Sequence, residues 1–148
     1  MNLKIQPMVL DTSVSIKWFL KEPYEEQSLK LREAFRKGLC RLIAPDLIYP
    51  EFANTIWKRV VFHGLDLDEG EWMITAFKKI PIEVIPSKNL LNESLHLAFE
   101  YRRPIYDCLF LASSIQTGAH LITADEKLYR AIRASFPTVV WIGDYHSA

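Results

Sequence analysis

Short apolar runs alternate along this chain with longer segments of helical period. The runs 8–10, 39–43, 82–85, 120–123 and 138–142 read as strands. Between them the apolar spacing widens. Leu31, Ala34 and Phe35 recur at i, i+3 and i+4 ahead of Gly38, and Ile48, Phe52, Ile56 and Val60 recur every fourth residue ahead of Gly64. Leu91, Leu95, Ala98 and Arg102 keep a helical period that stops at Pro104. Further helices are expected from about Ile105 to Gly118 and from about Glu126 to Phe136. Strands that are apolar almost without interruption, each followed by a helix, belong to a parallel sheet covered on both faces. The expected fold is a three-layer α/β/α sandwich. With no repeat, low-complexity tract or linker, residues 1–148 read as one domain.

That architecture says where chemistry belongs. Open parallel sheets bind ligands beyond the carboxyl ends of their strands, where helices begin. Four acids stand at such places or beside a buried helical face. Asp11 follows the run 8–10 directly. Its ordinary reading is a helix cap, but Thr12 and Ser13 serve that purpose equally well and leave the carboxylate free. Glu51 follows Pro50 at the edge of the stripe made by Ile48, Phe52 and Ile56. An early-helix Glu is usually solvated and complements the helix dipole. Asn54, one turn on, shares its side. Asp107 lies in Ile105-Tyr106-Asp107-Cys108-Leu109-Phe110-Leu111-Ala112, apolar nearly all round, where an isolated carboxylate is costly. Asp125 closes the run at 120–123. Thr123 and Glu126 have the spacing of a capping box, which would leave Asp125 without a structural duty.

Each acid has a bland reading, but their coincidence at one sheet edge does not. Four convergent carboxylates raise one another's pKa and stay ionised together only with cations. Oxygen ligands without His or Cys select Mg²⁺ or Mn²⁺ rather than zinc, and such ions serve phosphoryl chemistry by activating water and holding the phosphate.

Charge bears on this reading without deciding it. The chain has 18 basic and 18 acidic residues, a poor balance for a nucleic-acid binder, whose affinity rests largely on basic surface. Setting the four acids aside as metal ligands leaves a mildly basic remainder. The bases Lys17, Lys21, Arg102, Arg103, Lys127 and Arg130 flank the acids in sequence, although each also reads as an ordinary solvated residue. Trp57, Phe62, Trp72 and Phe77, near helical spacing, read as core or dimer surface. The two cysteines, Cys40 and Cys108, form no metal or redox motif and fit buried thiols in a reducing cytoplasm. No apolar run is long enough to span a membrane. Asp11 interrupts the N-terminal stretch before a signal sequence can form.

The segments 9–22, 50–54, 106–112 and 121–128 together resemble the signature blocks of PIN-domain nucleases, in that family's order and spacing. The pair Trp18-Phe19 and the chain length resemble the VapC-type toxins of prokaryotic toxin–antitoxin pairs. The resemblance implies a Mg²⁺- or Mn²⁺-dependent endoribonuclease that leaves 5′-phosphate and 3′-hydroxyl ends on RNA. Asp11, Glu51, Asp107 and Asp125 match the family's acidic quartet. Thr12 or Ser13, with Thr123, match hydroxyl residues that orient the ligands. It also implies a homodimer and a cognate antitoxin protein laid over the active-site groove. Arg102-Arg103-Pro104 departs from the family pattern. The alternative is a PIN-like RNA-binding or protein-interaction module with little or no cleavage activity.

Other classes fail on particular residues. A haloacid-dehalogenase-type phosphatase needs an Asp two residues after the first, where Ser13 stands. A response-regulator receiver needs an acidic pair near its first strand and a Lys near its last, and neither is in place. A dinucleotide-binding domain needs Gly-x-Gly-x-x-Gly after the first strand, and no such run exists.

Overall fold

The computed structural model describes residues 5–146. Five strands make one sheet: β1 (Gln6–Leu10), β2 (Cys40–Pro45), β3 (Glu83–Ile85), β4 (His120–Thr123) and β5 (Val140–Trp141). Every neighbouring pair is parallel, in the order β3-β2-β1-β4-β5. Seven α-helices connect them among the described residues: α1 (Thr12–Ser15), α2 (Glu25–Arg36), α3 (Ile48–His63), α4 (Leu67–Lys78), α5 (Leu91–Tyr101), α6 (Ile105–Thr117) and α7 (Glu126–Ile132). The chain steps from β1 to β2 to β3 in one direction, then returns past β1 to lay down β4 and β5. Right-handed crossovers put the helices of the two directions on opposite faces, which makes the three layers of an α/β sandwich. The order reverses between β1 and β4, so the crevice beyond the carboxyl ends opens there.

The central helix is α6. Its residues Cys108 through Ser114 are buried in succession, as a helix apolar all round requires. It lies against β1, β2 and β4. Pro104 stands at its N-cap position, and Gly118, at φ +70°, ends it in the left-handed conformation that a side chain resists. On α3, Ile48, Phe52 and Ile56 are buried as their spacing predicts. Phe52 stacks on Phe77 of α4 with ring centroids 4.0 Å apart, and Phe19 meets Phe52 edge-on at 5.3 Å.

Several expectations are corrected. The last helix, expected to run to Phe136, ends at Ile132. The second strand begins at Cys40, leaving Leu39 exposed, and the fifth contracts to Val140–Trp141. Along α5 and the residue that precedes it, the buried row is Leu90, Ser94 and Leu97, while Leu91 and Leu95 are exposed. Both rows are spaced for a helix, and Ser94 hides its polarity by donating to the Cys108 carbonyl at 3.3 Å. The start of α7 is capped by Asp125, whose Oδ1 accepts from the Leu128 N–H at 3.1 Å, so Thr123 is not the cap. Thr123 is held inside the fold and has other partners. No helix among the described residues is long and apolar enough to cross a membrane.

Candidate active site

A cleft of about 470 Å³ at the carboxyl edge is lined by Asp11, Glu51, Asp107 and Asp125 together, with Thr12, Ser13 and Asn54 among its other walls. Asp11 comes from the end of β1, Glu51 from the first turn of α3, Asp107 from the first turn of α6, and Asp125 from the start of α7. Pro50 is tolerated beside Glu51 because the first turn of a helix needs no partner for its missing N–H.

A distinct donor holds each carboxylate. Asp11 Oδ2 accepts from Ser13 Oγ and Thr123 Oγ1, both at 2.7 Å. The Asp125 N–H donates to Thr123 Oγ1 at 3.0 Å, and the Ala124 N–H donates to Ser13 Oγ at 2.9 Å. These hydroxyls therefore tie the β1 edge to the β4 edge. Thr12 Oγ1 donates to Glu51 Oε1 at 2.8 Å. Arg103 places two N–H groups on the same oxygen of Asp107, Oδ2, from Nη2 at 2.8 Å and Nε at 3.2 Å. Asp125 spends Oδ1 on its helix cap. In each case one carboxylate oxygen carries all the protein hydrogen bonds found among the described residues, and the other carries none. As the side chains stand, no group of three His, Cys, Asp or Glu among the described residues is drawn together at metal-holding distance. The four acids share a cleft rather than a closed cage.

Electrostatics marks Asp11, Glu51 and Asp107. Burial pushes Asp11 up from 3.8 to about 6, against the hydrogen bonds from Thr123 and Ser13, and repulsion from Asp107 and Asp125 adds to the rise. Burial pushes Glu51 up from 4.5 to about 7, eased by Thr12 and aggravated by the charges of Asp11, Asp107 and Asp125. Asp107 is also raised by burial and by Asp125, with the Arg103 guanidinium opposing. Such mutually raised acids mark sites adapted to a cation or to proton transfer.

The donor set fits a hard divalent cation. Among the described residues it offers four carboxylates, each with one oxygen free of protein donors, and neither His nor Cys lines the cleft. Sequence reasoning passed over three polar wall residues. Thr55 and Lys58 continue the face of α3 that carries Glu51 and Asn54, at i+4 and i+7 from Glu51, and Tyr106 adjoins Asp107. The helical spacing of the α3 pair was available in the sequence. Of the six flanking bases, Lys17 is buried against Glu22 at 3.0 Å, Arg103 is committed to Asp107, and Arg130 pairs with Glu126.

Comparison with known proteins places the chain. The PIN domain family model matches residues 8–133. The chain belongs to the PIN-domain family, and with it to a class of nucleases. Solved structures agree on the fold. A toxin–antitoxin complex from Klebsiella pneumoniae aligns at TM-score 0.63 and 18% identity, over 95% of this chain and 99% of that one. VapBC2 from Rickettsia felis, solved with a DNA fragment from its promoter, aligns at TM-score 0.60 and 15% identity, over 92% and 97%. PAE2754 from Pyrobaculum aerophilum aligns at TM-score 0.61 and 18% identity, over 94% and 92%. A comparison with curated proteins finds no match.

Proposed function

We propose that this protein is a Mg²⁺- or Mn²⁺-dependent endoribonuclease and the toxin of a toxin–antitoxin pair. The observation that carries the catalytic part is the single cleft lined by Asp11, Glu51, Asp107 and Asp125, each with one oxygen unspent. The toxin part rests on the likeness in fold to a toxin–antitoxin complex and to VapBC2.

The four carboxylates are the residues that would hold the metal. When bound, a divalent ion at such a site lowers the pKa of water and offsets charge on a phosphoryl group. The chain's own residues set the stage for this. Thr123 and Ser13 fix Asp11 by one oxygen, so its other oxygen has a defined direction. Thr12 does the same for Glu51. Arg103 opposes the burial that raises the Asp107 pKa. Asn54, Lys58 and Tyr106 line the cleft as donors and as a ring surface, suited to an approaching phosphodiester. An antitoxin protein would silence the enzyme by covering this cleft, and a second copy of the chain would complete a homodimer.

The test is cleavage of single-stranded RNA by purified protein. Added Mg²⁺ or Mn²⁺ should support cutting, excess chelator should stop it, and Asp107→Asn should be inactive while still folded. RNA that stays intact in every metal, with the protein free of antitoxin, sinks the nuclease reading and leaves the binding-module alternative.

A further inference from the structure

A second pocket, also of about 470 Å³, shares two chain segments with the carboxylate cleft. It is lined by three aromatic rings, Tyr24, Tyr129 and Trp141, and by three cations, Lys17, Arg130 and Arg133, with Glu126 as its one acid. Two backbone steps join it to the first cleft. Ile16 lines the carboxylate cleft and Lys17 lines this pocket; Asp125 lines the cleft and Ala124 this pocket. The same two chain segments, 16–17 and 124–125, therefore border both spaces.

The aromatic wall is built at some cost. Trp141 packs edge-on to Tyr24, with centroids 5.6 Å apart, and tilted against Tyr129, also at 5.6 Å. Tyr24 holds φ +66°, a left-handed backbone that a bulky side chain rarely adopts. Strain of this sort persists where the surroundings enforce it, and it clusters at binding sites. Gly143 lies so close behind the wall that a Cβ there would meet Trp141 Nε1 at 2.7 Å and Tyr24 Cε1 at 3.0 Å. The Arg133 guanidinium stands over the Tyr129 ring, 5.9 Å from its centroid, and makes no ion pair among the described residues. Arg130 reaches the same space while paired with Glu126.

Aromatic rings and arginines that line one pocket match one chemistry well. Bases of single-stranded nucleic acid stack on aromatic faces while cations follow the backbone phosphates. We propose that this pocket is a nucleotide subsite, which holds the nucleotide next to the scissile phosphate of a single-stranded RNA. The base lies against the Tyr24, Tyr129 and Trp141 wall, and its phosphate lies on Arg133 and Arg130. The subsite rests on the nuclease reading for the place of the scissile bond, but its binding role is measurable without cleavage.

The test is binding of a fluorescent single-stranded RNA of about a dozen nucleotides to the full chain in excess chelator, where no cutting interferes. Arg133→Ala and Arg130→Ala change exposed side chains outside the core, and thermal melts should show both folded. Together they should weaken binding by roughly tenfold or more. They should also flatten the dependence of log affinity on log salt by about 0.7 for each phosphate no longer neutralised. Tyr24→Gly, which suits the left-handed backbone and removes the ring, should weaken binding at all salt concentrations without flattening the slope. Wild-type affinity and salt slope in all these variants would overturn the subsite, as would an absence of RNA binding by the wild type. A pocket serving a protein partner would give the first of those results. Pocket-dependent binding with no cleavage in Mn²⁺ would instead sustain the subsite and sink the nuclease reading, so the two failures are distinguishable.

Discussion

Replacing Asp11 with Asn separates stability from activity, and the structure says in which direction. The Asp11 carboxyl has its folded pKa raised from 3.8 to about 6. A group raised on folding contributes stability that is fully present below its unfolded pKa and lost as pH rises through the folded one. In metal-free protein the loss therefore accumulates between about pH 4 and pH 6 and is complete near pH 8. Two pKa units correspond to about 3 kcal/mol. Asparagine keeps an oxygen for Ser13 and Thr123 but cannot ionise, so the variant escapes the loss. It also relieves Glu51, whose carboxyl is raised partly by the Asp11 charge. In chelator near pH 8 Asp11→Asn should be more stable than wild type by about 2–3 kcal/mol, a melting point higher by about 6 °C. Near pH 4 the advantage should vanish. Mn²⁺ at about a thousand times its dissociation constant should reverse the order, since it adds about 4.1 kcal/mol to the wild type alone. RNA cleavage by the variant should meanwhile fall almost to nothing. The assay is a thermal melt at several pH values, with chelator and with Mn²⁺, beside a cleavage time course. A variant that melts below wild type in chelator near pH 8, or whose advantage is the same at every pH, refutes the electrostatic reasoning. A variant that cuts RNA at the wild-type rate refutes the catalytic assignment.

Other perturbations probe the supports. Thr123→Val keeps the shape but strips a donor from Asp11 and the acceptor from the Asp125 N–H; it should cost about 1–3 kcal/mol in denaturant unfolding, with most of the loss restored by Thr123→Ser. Gly70→Ala would put a Cβ 2.9 Å from Ile56 Cγ2 and 3.2 Å from Val60 Cγ2 where α4 crosses α3. Its overpacking, about 1–3 kcal/mol, should outweigh the better helix propensity and lower the melting point. Trp57, Phe62 and Trp72 all stand more than half exposed, which fits the proposed homodimer. Light scattering should return a dimer mass at micromolar concentration, and a monomer would count against it.

Much of this was legible because a parallel sheet writes a plain signal. Its strands are apolar on both faces, so Asp11 at the end of β1 and Asp125 beyond β4 stood out as interruptions. Asp107 stood out by its apolar helix. The misreadings arose where two physical patterns were degenerate. On α5 the rows Leu90, Ser94, Leu97 and Leu91, Leu95, Ala98 share a spacing, and only the partner helix decides between them. At β4 both Thr123 and Asp125 are good caps; the structure gives the cap to Asp125 and turns Thr123 inward to Asp11. Among the aromatics, Phe77 is core and Trp57, Phe62 and Trp72 are surface, a division that periodicity alone did not draw. The pairing of Arg103 with Asp107 at i, i+4 has helical spacing, but Pro104 between them suggested a break. The proline instead starts α6 and leaves the arginine free to fold back over its first turn.

That fold-back bears on how the cluster survives without an ion. Four buried or half-buried acids in one cleft would, unaided, protonate or push apart. The structure spreads the burden over local donors from different elements: Thr12 and Ser13 of α1, Thr123 of β4, the Leu128 N–H of α7 and the Arg103 guanidinium. Each donor takes a single oxygen. Arg103 is the sharpest case, because a guanidinium and a carboxylate ordinarily meet as two forks with both oxygens engaged. Here both N–H groups converge on Oδ2 and Oδ1 stays open. A bidentate pair would hold Asp107 more strongly but would leave nothing for a cation. A site with no donors would leave the charges to be quenched by protons near neutral pH. One donor-bearing oxygen and one open oxygen per acid is the compromise that keeps the carboxylates placed and available, and its cost is the raised pKa of Asp11, Glu51 and Asp107.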